Sequence, residues 1–252
     1  MRSFFRQPID DVVACLERLV DVKRPGLMMF GLLLVGGAAW FVYVPIHELL
    51  HVAGCVVTGG TVSELELSPR YGAAMLQKVF PFIVSGGEYA GRVTGFDTKG
   101  SDWIYLATDF GPFLLSIVLG IPLLKLAGKK RRPILFPIAV VVGLAPFYNI
   151  QGDYYEMGSI VTTRALTELQ GGGNPPAFEK LRADDIFKLL GDFVTDPGKL
   201  GVKGAKAFAL ATLIIVISFV LDVIFAFATY WLGHQFAHRV VRIRARSVGR
   251  QR

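Results

Sequence analysis

Charge and thiols are what this 252-residue chain has least of. Asp, Glu, Lys and Arg make up 19% of it, and Cys15 and Cys55 are its two cysteines. So low a charged share excludes a disordered chain and argues against an ordinary water-soluble domain. Two cysteines cannot build a disulfide framework, so no oxidising compartment is implied. Neither Lys-Ser nor Lys-Thr follows Gly86-Gly87, which removes a phosphate loop and leaves a hairpin turn as the expectation there. Histidine is scarce as well, with four in all. Apolar residues, by contrast, make up 52% of the chain. The net charge of +7 would suit nucleic acid or an anionic membrane surface, and the apolar runs decide for a lipid bilayer.

Four runs read as transmembrane: 27–59, 104–126, 133–147 and 207–233. Crossing the hydrocarbon core takes about 20 apolar residues, so the third, interrupted by Pro137 and Pro146, is the shortest candidate. The first run begins after 26 charged and mixed residues and shows no small-residue cleavage pattern, so it reads as an anchor rather than a signal peptide. Residues 1–26, the end of run two from Lys125 with its link to run three, and the tail together hold sixteen basic and four acidic residues. Residues 60–102 and 150–206 hold eleven basic and thirteen acidic. The short basic segments are expected on the cytoplasmic side, with both termini inside, in a bacterial cytoplasmic membrane.

The expected fold is an all-α polytopic membrane protein of about four transmembrane helices, with a small β element between the first two. Strands are expected at 61–67, 80–84 and 89–96, where apolar residues alternate between turn signals. Residues 1–26 form an amphipathic cytoplasmic segment, with Ile9, Val12, Val13, Leu16, Leu19 and Val20 at helical spacing. Residues 27–155 form the membrane core, 156–206 an extramembrane helical loop, and 207–252 the fourth span with its basic tail.

The first run carries the chemistry. His47-Glu48-Leu49-Leu50-His51 places two histidines at i and i+4, on one helix face about a turn apart, so both imidazoles can reach one ion. Zinc accepts such nitrogens, and Glu48 beside the first ligand is placed to act as general base. Ionisable residues inside an apolar run cost free energy without partners, which makes a chance occurrence there rarer. A third ligand must come from elsewhere. His234 and His238 are also spaced i, i+4, but charge places them at the cytoplasmic end of the last run, where they read as an interfacial helix end. Asp153, after the third run, is the better candidate, because Gly152 lets the backbone turn before it. Glu156 competes for the same role. Asp109 and Asp222 are ionisable groups within runs two and four, and Cys55, one turn beyond His51, reads as a small packed thiol.

On these residues the chain resembles the site-2 protease family of intramembrane zinc metalloproteases, over about residues 40–155. The resemblance rests on His47-Glu48-Leu49-Leu50-His51 in the first core helix, Gly111-Pro112 in the second and Gly152-Asp153 after the third. It implies a zinc ion held by His47, His51 and Asp153, Glu48 as catalytic base, a membrane-anchored protein as substrate, and a membrane-associated sheet between the first two helices. Leu50 stands where the family commonly has glycine, and Gly152 precedes the aspartate instead of following it. The competing class is a non-catalytic metal-binding membrane scaffold or a transporter.

Overall fold

The computed structural model describes residues 2–17, 19, 25–130, 133–174, 176 and 178–249. Val20 of the amphipathic stretch and the basic residues Arg18, Lys23, Arg24, Arg131, Arg132, Arg250 and Arg252 lie outside the described residues. The chain is mostly helical and divides into two compact units, Met1–Pro146 with Phe227–Arg252, and Phe147–Ala226.

The first unit begins with helix α1 (Arg2–Glu17) and the long helix α2 (Pro25–Val57). α2 inverts the pattern of a helix in a soluble protein. Leu27, Met29, Phe30, Leu33 and Leu34 are exposed, whereas Tyr43, His47, Glu48, His51 and Cys55 are buried. A helix that shows leucine and phenylalanine outward and hides histidine and glutamate belongs in lipid, where burial among other helices is what ionisable groups require. α2 and the stretch Gly204–Val240 are each long and apolar enough to cross a membrane.

The strands follow: β1 (Thr61–Leu67), β2 (Ile83–Ser85) and β3 (Gly91–Asp97), in the spatial order β2-β1-β3. β1 pairs with β2 in parallel and with β3 antiparallel. Gly86-Gly87 is therefore not the expected hairpin turn, because β2 and β3 lie on opposite edges and the chain crosses from one to the other. Alternation turns Leu65 and Leu67 inward, and with Ile83 they pack beside Val44 and Val52 of α2. The sheet thus rests on the turns of α2 that carry the histidines.

Helix α3 (Asp102–Phe110) is capped by Ser101, whose side chain accepts from the Ile104 amide. It continues into α4 (Phe113–Gly128) with a bend of 48° at Gly111-Pro112. Proline lacks the amide needed to continue the helical ladder, which accounts for the break. α5 (Leu135–Gly143) has nine residues, about 13.5 Å of helix. It is too short to span the core alone, and a second short helix, Ala145–Tyr148, follows it, so the third expected run is not confirmed as a span. Helix length and composition thus give two spans among the described residues, or three if α3 and α4 form one bent span, against the four expected. α4 and α5 touch backbone to backbone at Gly120 and Gly143, and the Ser116 hydroxyl donates to the Val142 carbonyl at 2.7 Å.

The second unit holds a π-type turn at Ile150–Tyr154, helix α6 (Tyr155–Leu169), helix α7 (Ile186–Thr195) and the first part of α8 (Gly204–Gly249). Within the expected helical loop 156–206, α6 is followed by a 3-10 turn, Glu179–Leu181, and by α7, which Asp185 caps through the amides of Phe187 and Lys188. The unit's core comprises Tyr155, Leu181, Leu189, Phe193, Ile214 and their neighbours.

Candidate metal centre

His47 and His51 share the buried face of α2, with their Nε2 atoms 3.2 Å apart. Two nitrogens each about 2.0–2.1 Å from a tetrahedral zinc lie about 3.3 Å apart, so the pair has the spacing of shared coordination. Hydrogen bonds behind the rings fix which nitrogens face each other. His51 Nδ1 lies 2.8 Å from the Thr108 carbonyl oxygen, which can only accept, so the proton is on Nδ1 and Nε2 of the neutral ring is bare. His47 Nδ1 lies 2.9 Å from the Tyr43 hydroxyl, one turn earlier on the same helix. Carbonyl and hydroxyl partners of this kind orient histidine ligands and set their tautomers.

Two glycines allow the Thr108 carbonyl to reach His51. A Cβ at Gly54 would collide with the Ala107 carbonyl, and one at Gly111 with the Leu50 carbonyl. The backbones of α2 and α3 meet at these points, and any larger residue would hold the helices apart.

One ligand atom from each of His47, His51 and Asp153 lies within 4.8 Å of the others, the one such group of three or more His, Cys, Asp or Glu found among the described residues. Asp153 sits in the π-type turn that precedes α6. There Gly152, with φ −118° and ψ −111°, leaves the helical region, as expected of its place before the aspartate. Glu156 begins the regular part of α6, is buried, and is not in the group. Two imidazole nitrogens and a carboxylate oxygen are a donor set that zinc and neighbouring first-row divalent ions accept, so these residues fit a metal ion.

Glu48 is buried beside His47 and is covered by the start of β3. A Cβ at Gly91 would come to 2.7 Å from Glu48 Cδ and 3.0 Å from Oε1. Gly91, Thr108 and Tyr43 were not singled out by the sequence reading. Of the other acids, Asp109 is buried in α3 and Asp222 is fully buried in α8, where α6 approaches at Gly158. Cys55 is a packed thiol whose Sγ lies 3.7 Å from the Thr61 carbonyl. No family model matches the chain, and neither a curated protein nor a solved structure is detectably similar to it.

Proposed function

We propose that this protein is a zinc-dependent intramembrane endopeptidase of the site-2 protease type that cleaves a membrane-anchored protein. The observation that carries the reading is the His47–His51–Asp153 group, with the tautomer of His51 set so that its bare nitrogen turns toward His47. Bound there, zinc would polarise a scissile carbonyl and acidify a water molecule. Glu48 takes the proton from the attacking water and passes it to the departing amine. Its burial under β3 keeps bulk water from competing for that carboxylate. A helical substrate hides its carbonyls in its own hydrogen bonds, so it must unwind to be cut, and a strand at the edge of the sheet, as β3 is, would hold the unwound segment by edge pairing. The basic segments flanking α2 and the last span support a bacterial cytoplasmic membrane protein with both termini inside.

The test uses the full chain in detergent, with zinc content and cleavage of a single-span membrane protein measured side by side. Glu48→Gln should keep the wild-type zinc content and lose about 10²–10⁴-fold in cleavage rate. Asp153→Ala should lose one equivalent of zinc, and Glu156→Ala should not. Unchanged cleavage in Glu48→Gln would favour a metal-binding scaffold or transporter, and full zinc retention in Asp153→Ala would remove that residue from the ligand set.

A further inference from the structure

The last turns of α8 carry a second histidine pair, and its surroundings parallel those of the first. His234 and His238 lie at i and i+4, with their Nε2 atoms 2.9 Å apart. Asp11 of α1 stands behind the pair, its Oδ2 3.6 Å from His234 Nδ1. The Tyr230 hydroxyl donates to the same Oδ2 at 2.8 Å and holds the carboxylate in place. At that distance the carboxylate favours positive charge near the ring without hydrogen-bonding to it, and His234 Nδ1 is a buried nitrogen with no hydrogen-bond partner.

Two imidazole nitrogens 2.9 Å apart can share the N–H of one ring as a hydrogen bond, or can both turn lone pairs to a positive charge set against them. Here the charge is the ammonium group of Lys125, with Nζ 3.2 Å from His234 Nε2 and 3.3 Å from His238 Nε2. Asp11 Oδ1 lies 3.9 Å from the same Nζ. The cluster thus sets a cation against two nitrogen donors: a lysine side chain on a flexible stem occupies the position an ion would take, with the Asp11 carboxylate nearby. At His47 and His51 the spacing is similar, and the orienting group is a backbone carbonyl.

We propose that His234 and His238 form a second binding site for a divalent transition-metal ion, which the Lys125 ammonium fills as a displaceable internal cation. Imidazole nitrogen donors select zinc, nickel or copper over magnesium or calcium. When the ion enters, the ammonium swings off the two imidazoles toward Asp11 Oδ1, 3.9 Å from it. Two protein ligands and a competing internal charge make this the weaker of the two sites. The inference is independent of the protease reading, because none of its residues takes part in that mechanism.

The experiment titrates zinc and nickel into the full chain in detergent at neutral pH, following binding by calorimetry. In a His47→Ala/His51→Ala background, one equivalent of zinc should still bind. Adding His238→Ala should weaken that binding at least tenfold. His238 is exposed, so unchanged elution on size exclusion is expected for this variant. Adding Lys125→Met instead should tighten the binding about tenfold by removing the competing charge. In the otherwise wild-type chain, two equivalents should fall to one with His238→Ala. Absence of zinc binding in the first background, binding indifferent to His238→Ala, or weaker binding in Lys125→Met would each overturn the proposal.

Discussion

A histidine becomes a ligand through what holds its far nitrogen. The Thr108 carbonyl leaves His51 one neutral tautomer, and that tautomer points a bare Nε2 toward His47. The spacing of the two histidines was legible from the chain alone, because i and i+4 share a helix face whatever the rest of the fold does. Thr108 and Tyr43 were not, since a carbonyl arriving from 57 positions away leaves no local trace. Gly91 is the sharper case. As a residue in the sequence it is one glycine among 28, yet in the fold its Cα lies where any side chain would strike the Glu48 carboxylate. Gly91→Ala should therefore displace Glu48 without touching the ligands. Zinc content should stay at the wild-type level while the cleavage rate falls on the order of 100-fold, the cost of a catalytic group moved by about an ångström. A parallel loss of zinc would show that the strand supports the ligands instead.

At the scale of elements, local pattern was readable and pairing was not. The alternation in Thr61–Leu67 marks β1 because one of its faces is buried against α2, and burial on one face is what writes a period of two into a strand. Gly86-Gly87 looked like a hairpin because a glycine pair between apolar stretches is compatible with any sharp change of direction. Only the long-range pairing reveals that β2 and β3 flank β1 on opposite sides. Helix contacts are hidden in the same way. Gly54 and Gly37 are both helix-interior glycines of α2, but only Gly54 lies against another backbone; around Gly37 the space is open. Gly54→Ala should force α2 from α3, lowering stability by about 1–3 kcal/mol. As the Thr108 bond to His51 stretches, zinc should also bind more weakly. Gly37→Ala should leave both properties unchanged or raise stability slightly, since alanine is the better helix former. Equal thermal midpoints for the two variants in detergent would show that the close approach at Gly54 carries no such constraint.

At the scale of the whole molecule, hydropathy and charge carry different information, and they agree only in part. Apolar runs reveal which segments avoid water, but a run broken by Pro112 or by Pro137 and Pro146 can bend or stop short inside a bundle. That is why, of the four runs, two form helices long and apolar enough to span among the described residues, or three with the bent pair. The distribution of Lys and Arg bears on that count too, because basic segments that share one side require an even number of crossings between them. Cysteine labelling of intact cells separates the two kinds of information. Cys55 is fully buried, and burial together with the nearby Asp11 pushes the Cys15 thiol up to about 11, so neither native cysteine should react with a membrane-impermeant maleimide near neutral pH. Arg6 and Glu88 are exposed, and the charge distribution predicts them on opposite sides of the bilayer. Glu88→Cys should label in intact cells and Arg6→Cys only after the cells are opened. Labelling of both positions from outside would mean that the basic segments do not set the orientation, and labelling of Arg6→Cys alone would invert the protein and bring the sheet that covers Glu48 to the cytoplasmic face.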